Sequence, residues 1–274
     1  MAPLVLMVAP NGARRSKADH PGLPMTPDEL AAEAERCCAA GATVIHLHVR
    51  TADGRHSLDP DLYRSAMRAI RSAVGERMAI QVTTEAAGVY MAEAQRAVVR
   101  ELRPEAVSLA IRELIPDEAS IEQAAALRPL AALISALRRN NILYTADEVA
   151  RFHELRRRGV IPQSHPWVLF VLGRHAEATA IRASDLVPLL RHHEDGVPWS
   201  VCAFGPAEAA AALAAAGLGG HVRVGFENNL WLRDGSLAGS NADLVVQTRR
   251  ELPLVDRSLA DIEWTRGFLA RTAA

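Results

Sequence analysis

Two histidines stand two residues apart inside an otherwise apolar run, Val44-Ile45-His46-Leu47-His48-Val49-Arg50. The aliphatic and β-branched neighbours favour a strand, and residues i and i+2 of a strand share a face. Both imidazoles then point the same way and can grip one metal ion. The competing reading is a pair of hydrogen-bonded core histidines. Burying two imidazoles without a shared partner is costly, which favours the metal, and a metal needs a third ligand from elsewhere in the chain. Glu227, in Gly219-Gly220-His221-Val222-Arg223-Val224-Gly225-Phe226-Glu227-Asn228-Asn229, is the candidate.

The chain that must bring these groups together has 274 residues, 49% of them hydrophobic, enough to bury a large core. Its formal charge is -1, from 31 basic and 32 acidic residues. That balance gives no electrostatic case for nucleic acid or an anionic membrane as a partner. Cys37, Cys38 and Cys202 form no disulfide pattern and point to a reducing cytoplasm. The apolar opening, Met1 to Pro10, lacks a basic leader and is too short to span a bilayer, so it reads as a first strand.

Strands are expected at Leu4 to Ala9, 43–49, Met78 to Thr83, Ala106 to Ala110, Ile142 to Tyr144, Trp167 to Leu172, Trp199 to Phe204 and Val222 to Phe226. Helical patterns alternate with them. One follows Thr26-Pro27-Asp28-Glu29, which supplies an N-cap, a proline in the first turn and two acids, and it stops at Gly41. Others run near 59–74, 92–102, 147–158, 186–192 and 206–216, with a long alanine-rich helix after Pro116-Asp117-Glu118 and two more near 241–251 and 258–269. The alternation predicts a single (β/α)8 barrel over residues 1–274, with a long Pro-rich loop after strand one and an extra C-terminal helix. A doubly wound sheet is the alternative. In a barrel, strand one alone separates strands two and eight, so His46, His48 and Glu227 meet over the mouth. The remaining polar residues at strand ends, Asn11, Thr83, Thr84, Glu85, Ser108 and Arg223, fall on the same rim.

Asn11-Gly12-Ala13 with the loop ending in Thr26-Pro27, then His46-Leu47-His48-Val49-Arg50, then Gly219 to Glu227, and finally Ser240-Asn241-Ala242, together resemble the β-keto acid cleavage enzymes. The match runs in order over nearly the whole chain. The resemblance implies a zinc-dependent (β/α)8 barrel that converts a β-keto acid and acetyl-CoA into acetoacetate and a new acyl-CoA, commonly as a homotetramer. It implies His46, His48 and Glu227 as the zinc ligands and Arg223 as an active-site arginine facing an anionic intermediate. Two imidazoles and one carboxylate leave zinc positions open, the catalytic rather than the structural pattern. An open zinc acts as a Lewis acid on the keto acid, and the resulting enolate can attack the thioester before a retro-Claisen step releases acetoacetate.

The sequence departs from the family at the base. Members usually carry an aspartate after the zinc-binding glutamate, whereas this chain has Asn228 at that catalytic position, which cannot take a proton at neutral pH. Acids common on strand five are replaced by Asn140-Asn141-Ile142-Leu143-Tyr144. Conversely, Glu85 follows strand three where many members have glycine, and Glu113 lies beyond strand four. Glu85, with Glu113 behind it, is expected to take over the acid/base work, the alternative being solvated loop glutamates. Thr83, Thr84 and Ser108 are expected to hold the substrate carboxylate. The Asn11 amide is expected to bind a carbonyl or to serve the turn at Gly12. Arg14, Arg15 and Lys17 could meet the phosphates of CoA or form a solvated charge run. Rival functions are a metal-dependent hydrolase or aldolase on the same barrel and a non-catalytic metal- or small-molecule-binding barrel.

Overall fold

In a computed structural model of the chain, residues 1–118, 138–161, 166–173 and 181–270 are described. Eight parallel strands close on themselves. They are β1 (Leu6–Val8), β2 (Val44–Leu47), β5 (Ala79–Thr83), β6 (Ala106–Ala110), β7 (Arg138–Leu143), β8 (Pro166–Leu172), β9 (Trp199–Ala203) and β10 (His221–Val224). Their order around the barrel is β1-β10-β9-β8-β7-β6-β5-β2, and β1 pairs with both β10 and β2. The closed ring excludes the doubly wound alternative. A small hairpin of β3 (Val49–Arg50) and β4 (His56–Ser57) stands apart from it.

Helices α1 (Pro27–Ala40), α2 (Pro60–Val74), α3 (Ala92–Leu102), α4 (Ile111–Leu114), α5 (Ala146–Arg157), α6 (Leu186–Arg191), α7 (Glu208–Gly217), α8 (Asn241–Glu251) and α9 (Ile262–Ala270) accompany the barrel. Their boundaries follow local chemistry. Thr26 and Glu29 form a reciprocal capping box at the start of α1, and Gly41, at φ 118°, closes its end in a conformation that suits glycine. Asp59 caps α2, and Ser240 with Asp243 caps α8.

Three expected boundaries are corrected. The strand predicted over 43–49 ends at Leu47, and Val49–Arg50 pair antiparallel with His56–Ser57 instead. The cause is the tight loop through Asp53-Gly54, with Gly54 at φ 82° and its N–H donating to Thr51 O, which folds the chain back. The strand expected at Ile142 to Tyr144 begins earlier, at Arg138. Asn140 and Asn141 hid that part from a hydropathy reading, yet Asn141 Nδ2 donates to Trp167 O and ties β7 to β8. The last strand stops at Val224, because Gly225, at φ 134°, sends its N–H to the Glu208 carboxylate and turns the chain before Glu227. The alanine-rich helix predicted after Glu118 falls on 119–137 and lies outside the described residues.

Inside the ring, Val5, Met7, Val44, Ala79, Ala106 and Trp167 form an apolar plug toward the strands' N-terminal ends. Phe268 of α9 covers that plug, with its ring 5.3 Å from Trp167 and stacked on Trp264. A second apolar layer, Ala110, Ile142, Leu169, Val171 and Cys202, lies higher in the barrel. The interior is therefore packed up to the level at which polar side chains take over, and the C-terminal mouth is where a ligand can enter. No described helix is long and apolar enough to cross a membrane.

Candidate active site

His46 sits at the third residue of β2, and His48 just past its end. Both are buried. Glu227 comes from the turn after β10, where its N–H donates to Ala9 O (3.0 Å) across β1. The three side chains converge. The two Nε2 atoms lie 3.1 Å apart, and Glu227 Oε2 is 3.6 Å from His46 Nε2 and 3.4 Å from His48 Nε2. Tetrahedral zinc with bonds of about 2.0–2.1 Å to nitrogen or oxygen separates its ligands by about 3.3 Å, so this donor triangle has the size of one face of a zinc tetrahedron.

Protonation also suits a cation. Gln81, register partner of His46 on β5, presents Oε1 2.8 Å from His46 Nδ1. The Nδ1 therefore carries the proton, and Nε2 turns its lone pair toward His48 and Glu227. Burial, reinforced by Arg223 and His48 against the pull of Glu227, takes the His46 imidazole down to about 3, so it is neutral at physiological pH. Burial alone would raise the Glu227 carboxyl. Arg223, His48 and His46 outweigh it and hold the group well below the usual carboxylate range. Glu227 Oε2 has no hydrogen-bond partner among the described residues. A buried carboxylate oxygen without a donor, facing two imidazole nitrogens, is a costly arrangement that a divalent cation relieves.

Arg223, on β10, faces this centre. Its Nη2 donates to Glu227 Oε1 (3.2 Å) and Cys202 Sγ (3.2 Å), while Nε and Nη1 find no partner among the described residues. Two buried guanidinium donors remain available to an anion. Burial moves the Cys202 thiol up to about 11, against the pull of Arg223, so it stays protonated beside the arginine.

A narrow cleft beside the triad is walled by His46, Glu227, Arg223, Thr83, Ser108 and Glu85, with Ala110, Ile142, Val171 and Phe204 on its apolar side. Thr83 Oγ1 accepts from Glu85 N, and the Ser108 hydroxyl lies 3.5 Å away, so the two hydroxyls sit side by side. Glu85 Oε2 is 4.0 Å from His48 Nε2, and its side chain is only 10% exposed. The glutamate that follows β5 is thus an inward group beside the His-His-Glu triad. His56 of β4 fixes the loop by bonding Glu85 O (2.8 Å). The cleft adjoins a wider cavity of about 250 Å³, lined by Asn11 to Arg15 together with Glu85, Phe204 and Glu227.

Other expected residues are placed differently. Thr84 donates its hydroxyl to Ser108 O and ties β5 to β6. Glu113 borders the cleft, but its Oε2 accepts from Ala86 N and Gln95 Nε2, bracing the loop that carries Glu85. The Asn11 amide nitrogen is taken by Pro24 O and His48 O, a structural knot, although Asn11 also borders the wider cavity. Asn228 is fully buried, and neither amide atom has a partner among the described residues. Lys17 pairs with Glu29, and Arg15 donates to Phe226 O and Asn228 O, so neither is presented as a free phosphate contact. The sequence does not single out Gln81, where it is one more residue of a strand. Its alternation with Thr83 is the signal the sequence holds; its place opposite His46 is set by the register of β5 with β2.

A parallel (β/α)8 barrel with a buried His-His-Glu triad, an arginine and hydroxyls at the C-terminal ends of its strands defines an enzyme scaffold suited to a bound metal and an anionic substrate. The chain belongs to the β-keto acid cleavage enzyme family, whose model matches residues 3–270. It is 31% identical over 274 residues to the 3-keto-5-aminohexanoate cleavage enzyme of Fusobacterium nucleatum, covering 98% of each chain. It is 29% identical over 273 residues to the 3-oxoadipate:acetyl-CoA acetyltransferase of Cupriavidus necator, covering 97% of this chain and 94% of that one. Among solved structures, the apo structure of ObcA shares the fold, with a TM-score of 0.69 at 18% identity; the match covers 91% of this chain and 65% of ObcA.

Proposed function

We propose that the protein transfers the acyl part of a β-keto acid to CoA, using acetyl-CoA and releasing acetoacetate. The observation that carries this reading is the convergence of His46, His48 and Glu227 in the cleft that Arg223 also walls, in a chain of this family. The two imidazoles and the carboxylate would hold zinc, which when bound supplies Lewis-acid polarisation of the keto group.

The protein groups divide the remaining work. Thr83 and Ser108 offer adjacent hydroxyls to the substrate carboxylate, and the unpaired Arg223 donors face the negative charge that develops beside it. The Glu85 carboxylate, at the rim of the cleft, takes the Cα proton. The carbanion attacks the thioester carbon of acetyl-CoA and expels the CoA thiolate. That thiolate attacks the original keto carbon, the bond from that carbon to Cα breaks, and Glu85 returns its proton to Cα of the departing acetoacetate. Ala110, Ile142, Val171 and Phe204 keep the apolar side of the cleft dry. Asn228, lacking a titratable group, and Glu113, committed to Ala86 and Gln95, are left with supporting places.

Zinc-loaded protein incubated with a panel of β-keto acids should form acetoacetate and a matching acyl-CoA only when acetyl-CoA is present. Consumption of keto acid without acetyl-CoA would replace this reading with the hydrolase or aldolase one, and an inert protein would leave a binding barrel. The three thiols are free, in keeping with a cytoplasmic enzyme. The homotetramer is carried over from the family and is tested by light scattering.

A further inference from the structure

The metal ligand Glu227 sits on a turn, Gly225 to Asn229, and turns move more readily than strands. This one is gripped by hydrogen bonds from two sides. On one side Glu208, the first residue of α7 and 2% exposed, accepts from Gly225 N (3.1 Å) with one carboxylate oxygen and from Asn229 Nδ2 (3.2 Å) with the other. It therefore joins the first and last residues of the turn. On the other side Arg15, from the loop after β1, donates from Nη1 to Phe226 O (2.6 Å) and from Nη2 to Asn228 O (3.2 Å). Those two carbonyls flank Glu227. A planar guanidinium holds two carbonyls at fixed spacing, and a carboxylate holds two donors in the same way.

We propose that Glu208 and Arg15 are positioning residues: a hydrogen-bonded clamp across the turn that aims the Glu227 carboxylate at His46 and His48. Neither residue touches the three donor atoms, so each acts through the backbone it holds. Turning a buried carboxyl and a part-buried guanidinium onto one buried turn is costly in desolvation and contributes little where only stability is at stake, whereas the four hydrogen bonds restrict the direction of a side chain that must meet two others within a few tenths of an ångström. This inference rests on the metal reading of the triad.

The test compares zinc affinity, by competition with a chromophoric chelator, in the full-length wild type, Glu208→Gln, Glu208→Ala and Arg15→Lys. Glutamine keeps one acceptor and sets an amide NH2 donor against one of the two donors, and lysine cannot span both carbonyls. Each variant should weaken zinc binding by about 10–100-fold, the size of effect that partners behind metal ligands commonly show. The visible spectrum of the cobalt-substituted protein should also change, because the carboxylate donor is displaced. A wild type that binds zinc, with variants matching its affinity and cobalt spectrum, overturns the clamp alone. A wild type that binds no zinc overturns the metal reading and the clamp with it. If Glu208→Ala does not fold, the two conservative variants carry the same comparison, with melting of the zinc-free proteins showing that they are intact.

Discussion

In the proposed mechanism Glu85 does the work that the resemblance would give to an aspartate at position 228. Asn228 keeps the position beside Glu227 but is buried and cannot exchange a proton, whereas Glu85 reaches the rim of the cleft, 4.0 Å from His48 Nε2. Glu85→Gln is expected to lower kcat by at least about 100-fold, the usual loss when a general base is removed, with zinc content by elemental analysis unchanged. Normal turnover in that variant would assign the proton to another group. Gly225 is a second sensitive position. A Cβ there would lie 2.5 Å from Ala9 O, and φ 134° strains any side chain. Gly225→Ala should cost on the order of 1–3 kcal/mol in stability and reduce bound zinc, because the Glu227 turn shifts against β1.

At the scale of elements, regular structure carries only part of the site. Strands supply His46, Thr83, Ser108 and Arg223, but Glu227, Glu85 and His48 stand just beyond strand ends, and their loops are braced by Asn241, Glu113 and His56. The start of α1 shows the same logic at a helix end. Burial raises the Glu29 carboxyl, but Lys17 and the N–H groups of Met25 and Thr26 prevail and take it down to about 2. A carboxyl depressed in the folded state adds stability that is complete above its unfolded value, near 4.5, and is lost as pH falls toward 2. Glu29→Gln should therefore lower the melting temperature at pH 7 and have progressively less effect between pH 4.5 and pH 2. An effect independent of pH would mean that the side chain serves only as a neutral cap. Its partial exposure keeps the expected difference small.

For the whole molecule, the apolar plug beneath α9 and the polar mouth divide the barrel between stability and chemistry. A cation bound only by the folded state stabilises by mass action, about 4 kcal/mol when present at 1,000 times its dissociation constant. Stripping zinc with a chelator should lower the melting temperature by on the order of 10 °C and abolish acetoacetate formation, and added zinc should restore both. The His46→Ala protein should show no such difference between chelated and zinc-supplemented samples.

The alternation of apolar strands with capped helices made the barrel legible in the sequence, because periodicity and helix caps are local properties. The His-x-His spacing made two members of the triad legible for the same reason, and the strand order of a barrel pointed to the third, Glu227. Gln81 behind His46, the grip of Glu208 and Arg15 on the Glu227 turn, and the diversion of Thr84, Glu113 and Asn11 to backbone partners were not legible. Each depends on which group across the barrel reaches a given hydrogen-bonding atom first. Residue type states what a side chain is able to bind; closure of the ring, pairing β1 with both β2 and β10, decided what each one meets.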